Sequence, residues 1–236
     1  MLYKRSNSLL TYYTRQKEVL NLLRTINGGR LTIAGAASVS PVLRAGVVLL
    51  YSHIEGYVEN CVEEAMDFIN RSGINSDRLP RSFLIAHCLP TIKCIANTTN
   101  TEEQERLLTD VLVKNYPLWS GATLPPAKLE LDCLTRNFAN PSFEHIDKLF
   151  RQLGIPKVFG LFFYLGFPVR KVDLIRPTLE VLASLRHDIA HGNLATVCSY
   201  QDLVGYVKTM NWFCRCFDAM LGLHLVQLTG SFPWKN

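Results

Sequence analysis

The chain has little of what would settle its class at once. Its longest apolar run, Val158 to Val169, falls well short of the ~20 residues a membrane-spanning helix needs. The N-terminus, Met1-Leu2-Tyr3-Lys4-Arg5-Ser6-Asn7, has no apolar signal core followed by a cleavage site, so the expectation is a cytoplasmic protein with no membrane partner. Strand-like alternation is scarce, which speaks against a β-rich fold. Charged residues make up 19% of the chain and the net charge is +5, an excess that permits contact with a polyanion without demanding it. The seven cysteines (61, 88, 94, 133, 198, 214, 216) are odd in number and lack zinc-type spacing. They read as small buried hydrophobes in a reducing compartment. There is no cluster of carboxylates, and neither a metal nor a cofactor is expected.

Helical periodicity dominates what remains. With 48% hydrophobic residues in 236, the chain can bury a substantial core. A first helix is expected over Leu9 to Ile26, stopping at Asn27-Gly28-Gly29. The stretch 1–30 holds Lys4, Arg5, Arg15, Lys17, Arg24 and Arg30 against Glu18 alone, either a solvated face or a polyanion-binding one. A second helix is expected from Ser40-Pro41 to about Asn70, its stripe Leu50, Ile54, Tyr57, Val58, Cys61, Ala65, Phe68, Ile69 repeating at three and four. After a loop at 72–80, a helix broken at Pro90 is followed by one opened by the capping box Thr101-Glu102-Glu103-Gln104 and ending near Asn115. Pro117 to Lys128 reads as a long connection. Ser142 caps a short helix ending before Gly154, and an apolar segment covers 157–166. Two helices close the chain, one from Arg176-Pro177 to Gly192 and one from Ser199 and Asp202 towards Gly230. The stripe of the last one, Leu203, Val207, Met210, Cys214, Phe217, Leu221, Leu225, Leu228, is close to a seven-residue repeat and suits a long bundle helix, with a partner as one surface it could face. The fold class is all-α, one domain over 1–236 with the basic helix 1–29 as an extension.

The densest chemistry lies in Leu185-Arg186-His187-Asp188-Ile189-Ala190-His191-Gly192. His187 and His191 are four apart and share a helical face, and Asp188, three before His191, could accept a hydrogen bond from its ring and fix its tautomer. Arg186 lies about 140° around the helix from His191, within reach of a shared ligand through its long side chain. Gly192 suits the left-handed residue just past a helix end. An arginine can hold a phosphate bidentately and a histidine can move a proton near neutral pH. These parts suit RNA cleavage, in which a base deprotonates the 2′-hydroxyl, a cation offsets charge on phosphorus and an acid protonates the leaving oxygen. One chain has the group once, so a two-fold homodimer with a composite site would supply base and acid from opposite sides. The bland alternatives are capping or salt-bridge residues, or a two-histidine zinc spacing that lacks the usual glutamate and a third ligand.

At these residues the chain resembles the HEPN superfamily, whose ribonucleases carry an arginine, a polar residue, a few further positions and then a histidine. Here these are Arg186, His187, Asp188-Ile189-Ala190 and His191, with glycine following. Leu49-Leu50-Tyr51-Ser52-His53-Ile54-Glu55-Gly56-Tyr57-Val58 is similar to the first core helix of free-standing prokaryotic HEPN proteins, where an aromatic-flanked glutamate is common. The resemblance implies an up-and-down helical bundle with additional helices, homodimerisation and metal-independent endoribonuclease activity. It also implies a toxin–antitoxin or antiphage setting with an antitoxin or defence-system partner. Carried over by position, Arg186 steadies the phosphate and His191 transfers protons, with His187, Asp188, Asn193 and Glu55 in support. Asn193 is equally a turn residue, and Glu55 equally a solvated helix edge. His53, His87, His145 and His224 read as structural, and the segment from Phe159 to Phe167 as core or dimer surface. The rival readings are a non-catalytic HEPN module binding a nucleotide, RNA or a partner protein, and a structural protein that oligomerises through the 203–228 stripe.

Overall fold

A computed structural model describes residues 5–28, 33–123, 129, 132–135, 138, 142–164, 166–193 and 198–234. Gly29, Arg30 and the last part of the proline-rich connection, 124–128, lie outside the described residues. The fold is all-α, an up-and-down helical bundle with additional helices. The described helices are α1 (Asn7–Gly28), α2 (Ile33–Arg71), α3 (Arg81–Asn97), α4 (Thr101–Trp119), α5 (Asp132–Thr135), α6 (Phe143–Gln152), α7 (Val158–Tyr164), α8 (Val169–Ala190) and α9 (Tyr200–Thr229). Helix α2 is central and packs against α1, α8 and α9, while α8 also packs on α9. The hairpin α3–α4 stands to one side, and α5 to α7 fill the space between it and the bundle.

The core follows from the stripes. On α2, Leu50, Tyr51, Ile54, Tyr57, Val58, Cys61 and Ala65 are all buried. Gly46 lets α2 come close to α9, because a Cβ there would sit 2.6 Å from Leu203 Cδ2. The Tyr57 hydroxyl donates to the Cys214 carbonyl at 2.7 Å, and the Tyr57 ring meets Tyr12 and Phe217. The whole α9 stripe from Leu203 to Leu228 is buried within the chain, which corrects the expectation that it could face a partner and removes the reading built on it. Phe159 and Phe162 are likewise core. Of the cysteines, 61, 88, 198, 214 and 216 are buried free thiols, whereas Cys94 is exposed. His224 and His87 have their rings at backbone carbonyls, and His53 faces Glu18 at 3.4 Å. Among the described residues no helix is long and apolar enough to cross a membrane.

Caps read from the sequence hold where they are local. Ser142 accepts from His145 N at 3.2 Å, and Ser199 and Asp202 form a complete capping box on α9. At α4 the cap is Asn100, which accepts from Glu103 N, one residue before the expected Thr101. Four prolines expected near boundaries instead lie inside helices: Pro41 in α2, Pro90 in α3, Pro117 in α4 and Pro177 in α8. An internal proline costs about 3 kcal/mol or more through one lost hydrogen bond and a clash. In α8 the buried Val172 and Ile175 before Pro177, and Leu179 and Leu182 after it, anchor both sides of the break.

The start of α1 is fixed by two carboxylates at its positive dipole end. Ser6 is the cap, accepting from Leu9 N at 2.9 Å. Its own N–H and hydroxyl donate to the fully buried Asp218 of α9. Glu64 of α2 accepts from Asn7 N, Ser8 N and the Ser8 hydroxyl at 3.1, 3.0 and 2.7 Å. Replacing Asp218→Ala strands buried donors, so it should cost roughly 2–3 kcal/mol in urea unfolding, with Asp218→Asn costing less because one acceptor remains. No measurable loss in Asp218→Ala would mean that this carboxylate does not hold α1.

Burial lowers the His224 imidazole, and its bond to the Leu153 carbonyl pulls it partway back. The unfolded chain therefore takes the proton first, and stability should fall as pH drops below the ordinary histidine value of about 6.5. The drop in Tm between pH 7.5 and pH 5.5 should shrink in His224→Gln; an unchanged drop would assign the acid sensitivity elsewhere.

Candidate active site

The end of α8 sets the geometry of the motif. Gly192 takes φ +76°, Gly192 N donates to Ile189 O at 3.1 Å and Asn193 N donates to Asp188 O at 3.0 Å. This double bond pattern closes the helix and turns the chain sharply away. His191 is the last residue before the turn, at the helix end whose dipole favours a cation. Its ring lies 4.2 Å from that of His187, centroid to centroid, and both side chains are exposed. Asp188 is half-buried and makes no hydrogen bond to His191, contrary to the sequence expectation. The reason is local: the backbone leaves the helix at His191, and the ring settles against His187 one turn back. The Asn193 side chain is exposed just beyond the turn.

Arg186 faces the other way. It is half-buried, and its guanidinium forms no ion pair among the described residues. Packing of α8 on α2 brings it beside Tyr51 and Glu55, which are one turn apart on α2. Burial pushes the Tyr51 phenol up to about 12; the Glu55 carboxylate adds to that push and the Arg186 guanidinium opposes it. Both charges therefore act on the Tyr51 hydroxyl. Tyr51 is only 1% exposed, and its hydroxyl has no hydrogen-bond partner among the described residues. A buried polar atom left unpaired in this way is rare and calls for a reason. The Glu59 carboxyl, one turn after Glu55, is also pushed up, by burial first and by Glu55 second.

The structure thus gathers Arg186, Glu55 and Tyr51 at one seam and His187 with His191 at another. About 140° of helix separates the two groups. Tyr51 was missing from the sequence-based site; its position four before Glu55 was the available signal. Among the described residues, no three His, Cys, Asp or Glu side chains gather as a metal centre would need. Two clefts of about 370 and 400 Å³ lie elsewhere, one between α1 and α2 around Glu64 and one between α3 and α6 around Leu89, and no motif residue lines either. The histidine seam is open surface, so a closed reaction site there would need a second surface laid over it.

Comparison with known families finds a match to RiboL-PSP-HEPN over residues 10–222. No curated protein and no solved structure matches the chain.

The unpaired hydroxyl yields a direct test of the Tyr51 environment. Tyr51→Phe should leave stability unchanged or raise it by up to about 1 kcal/mol in urea unfolding, because it removes a buried polar atom that has no hydrogen-bond partner among the described residues. A loss above about 1 kcal/mol would mean that the hydroxyl is held by a partner in solution.

Proposed function

Because the chain belongs to the RiboL-PSP-HEPN family, we propose that it is a metal-independent endoribonuclease acting on RNA as a homodimer. The observation that carries this reading is the pairing of an exposed His191 at a sharply turned helix end with a half-buried Arg186 that has no ion pair among the described residues. The imidazole accepts the 2′-hydroxyl proton and the 2′-oxygen attacks phosphorus. The P–O5′ bond breaks, and the departing 5′-oxygen takes a proton from a second imidazole. Acid and base catalysis contribute ~10² to 10⁴ each. The Arg186 guanidinium binds the non-bridging oxygens as charge grows on them. Because Arg186 and His191 diverge within one chain, a two-fold partner facing the α8 end supplies the complementary groups and covers the open surface. His187 packs against His191 and keeps it oriented, Asp188 adds negative charge nearby, and Asn193 stands where a strand would leave the turn. Glu55 and Tyr51 line the side of Arg186 away from solvent. In this reading the chain is a cytoplasmic toxin or antiphage effector, one HEPN-like unit with residues 1–29 as an extension, and an antitoxin or defence-system protein restrains it.

The same divergence favours a second reading, a non-catalytic HEPN module that uses Arg186 to bind a nucleotide, RNA or a partner protein. Growth arrest on expression, relieved by His191→Ala, separates the enzyme from that module.

Cleavage of single-stranded RNA in the presence of chelator should fall at least 10²-fold in His191→Ala and in Arg186→Ala. The products should carry a 2′,3′-cyclic phosphate and a 5′-hydroxyl. Equal activity in all three proteins, or a 5′-phosphate product, would remove these residues from the mechanism.

A further inference from the structure

One basic surface is not accounted for by the motif. On α9, Lys208, Trp212 and Arg215 are spaced four and three apart and share a face. The Lys171 ammonium of α8 sits 3.8 Å from the Trp212 ring centroid, and the Arg215 guanidinium lies 5.2 Å from the same ring. Arg215 also reaches α1. Burial pushes the Tyr13 phenol up, while Arg215 and then Arg5 pull against it, and Arg5 lies 5.8 Å from the Tyr13 ring. Cations and half-buried rings therefore alternate from α8 across α9 to α1. The strip ends at Arg5, which also borders the cleft lined by Glu63, Glu64 and Asp67.

The four cations are exposed, and none forms an ion pair among the described residues. Arg106, Lys114, Arg151 and Arg176 each bind a carboxylate within one turn, whereas these four cations lie in one row with the Trp212 and Tyr13 rings. Like charges set in a row repel one another, so an unneutralised row suits a ligand bearing a matching row of anions. The rings add something that a solvated lysine lacks. A cation resting on an aromatic face is held in place by the ring quadrupole, and less conformational freedom is lost when it meets an anion. The rings themselves are covered by cations rather than offered to solvent, which argues against insertion into a bilayer and against base stacking as the main contact.

We propose that the strip Lys171–Trp212–Lys208–Arg215–Tyr13–Arg5 is a binding track for the phosphodiester backbone of a single-stranded nucleic acid, separate from the Arg186 seam. Its contacts are to phosphate, so it reads no sequence. Helix α8 joins the two places: Lys171 and Arg186 are fifteen residues apart, about 22 Å along the axis and about 60° around it. A strand held on the track extends along α8 towards the motif. The naming of that strand as RNA rests on the ribonuclease reading; the track itself does not.

The test uses the full-length protein and a fluorescent 2′-O-methyl RNA that no 2′-hydroxyl chemistry can cleave, with binding followed by anisotropy over a salt series. In a Lys171→Gln, Lys208→Gln, Arg215→Gln triple variant the slope of log K against log salt should shrink by about 2, at roughly 0.7 per lost phosphate contact. Affinity at low salt should fall at least tenfold. An Arg106→Gln, Lys114→Gln control should bind as the parent does. Trp212→Phe keeps every charge and a ring, so it should preserve the slope and most of the affinity, whereas Trp212→Leu should preserve the slope and weaken binding. A parental slope in the triple variant overturns the track, as does loss of binding to phosphatidylserine vesicles with strand binding intact. Cleavage is scored separately on ordinary RNA, so inactivity of the parent enzyme would sink the ribonuclease reading and leave the binding result standing.

Discussion

Because α2 is covered at once by α1, α8 and α9, its side chains have no freedom to trade places, and the positions of the other long helices follow from it. Its buried stripe cannot rotate outward without exposing Leu50, Ile54, Val58 and Cys61, each worth on the order of 1–3 kcal/mol of burial. The Tyr57 hydroxyl bonded to the Cys214 carbonyl, and the close approach at Gly46, lock the register of α2 against α9. With that face committed, Tyr51 and Glu55 are turned towards α8. Arg186 is half-buried because of this packing and not because of anything in its own motif.

The same constraint shapes the electrostatics. A guanidinium half-sheltered against α2 acts on the buried Tyr51 phenol in the opposite sense to Glu55, while the histidines at the end of α8 remain exposed. One chain thus holds a sheltered cation and an exposed proton carrier on two sides of a single helix end. In the proposed mechanism this would be half of a phosphodiester-cleaving arrangement, which is the physical reason why a symmetric partner enters it. At the opposite end of α8, Lys171 rests on the Trp212 ring of α9, which Arg215 also approaches.

Much of the architecture was legible because it depends on neighbours in sequence. The stripes on α2 and α9, the caps at Ser142 and Ser199, and the left-handed turn at Gly192 all arise from interactions within a few residues. The prolines were misleading for the complementary reason. Their local cost is real, but Pro177 is flanked by residues packed on both sides of the break, and that packing cannot be seen from its neighbours alone. The expected Asp188–His191 bond failed similarly, since its spacing assumes that His191 stays helical. The α9 repeat was legible as buried, but whether the covering surface was the chain itself or a partner was not written in its period.

The order of residues determined an all-α bundle, its central amphipathic helices, and the motif from Arg186 to Gly192 with its turn. It could do so because periodicity and capping are short-range and repeat with the pitch of the helix. Only the tertiary structure decided that Arg186 turns towards Tyr51 and Glu55 while His191 faces water, and that Arg215 and Lys171 meet over one tryptophan. Those pairings join residues far apart in the chain, and no local rule relates them: they exist because packing apolar faces against α2 leaves each polar side chain one place to go.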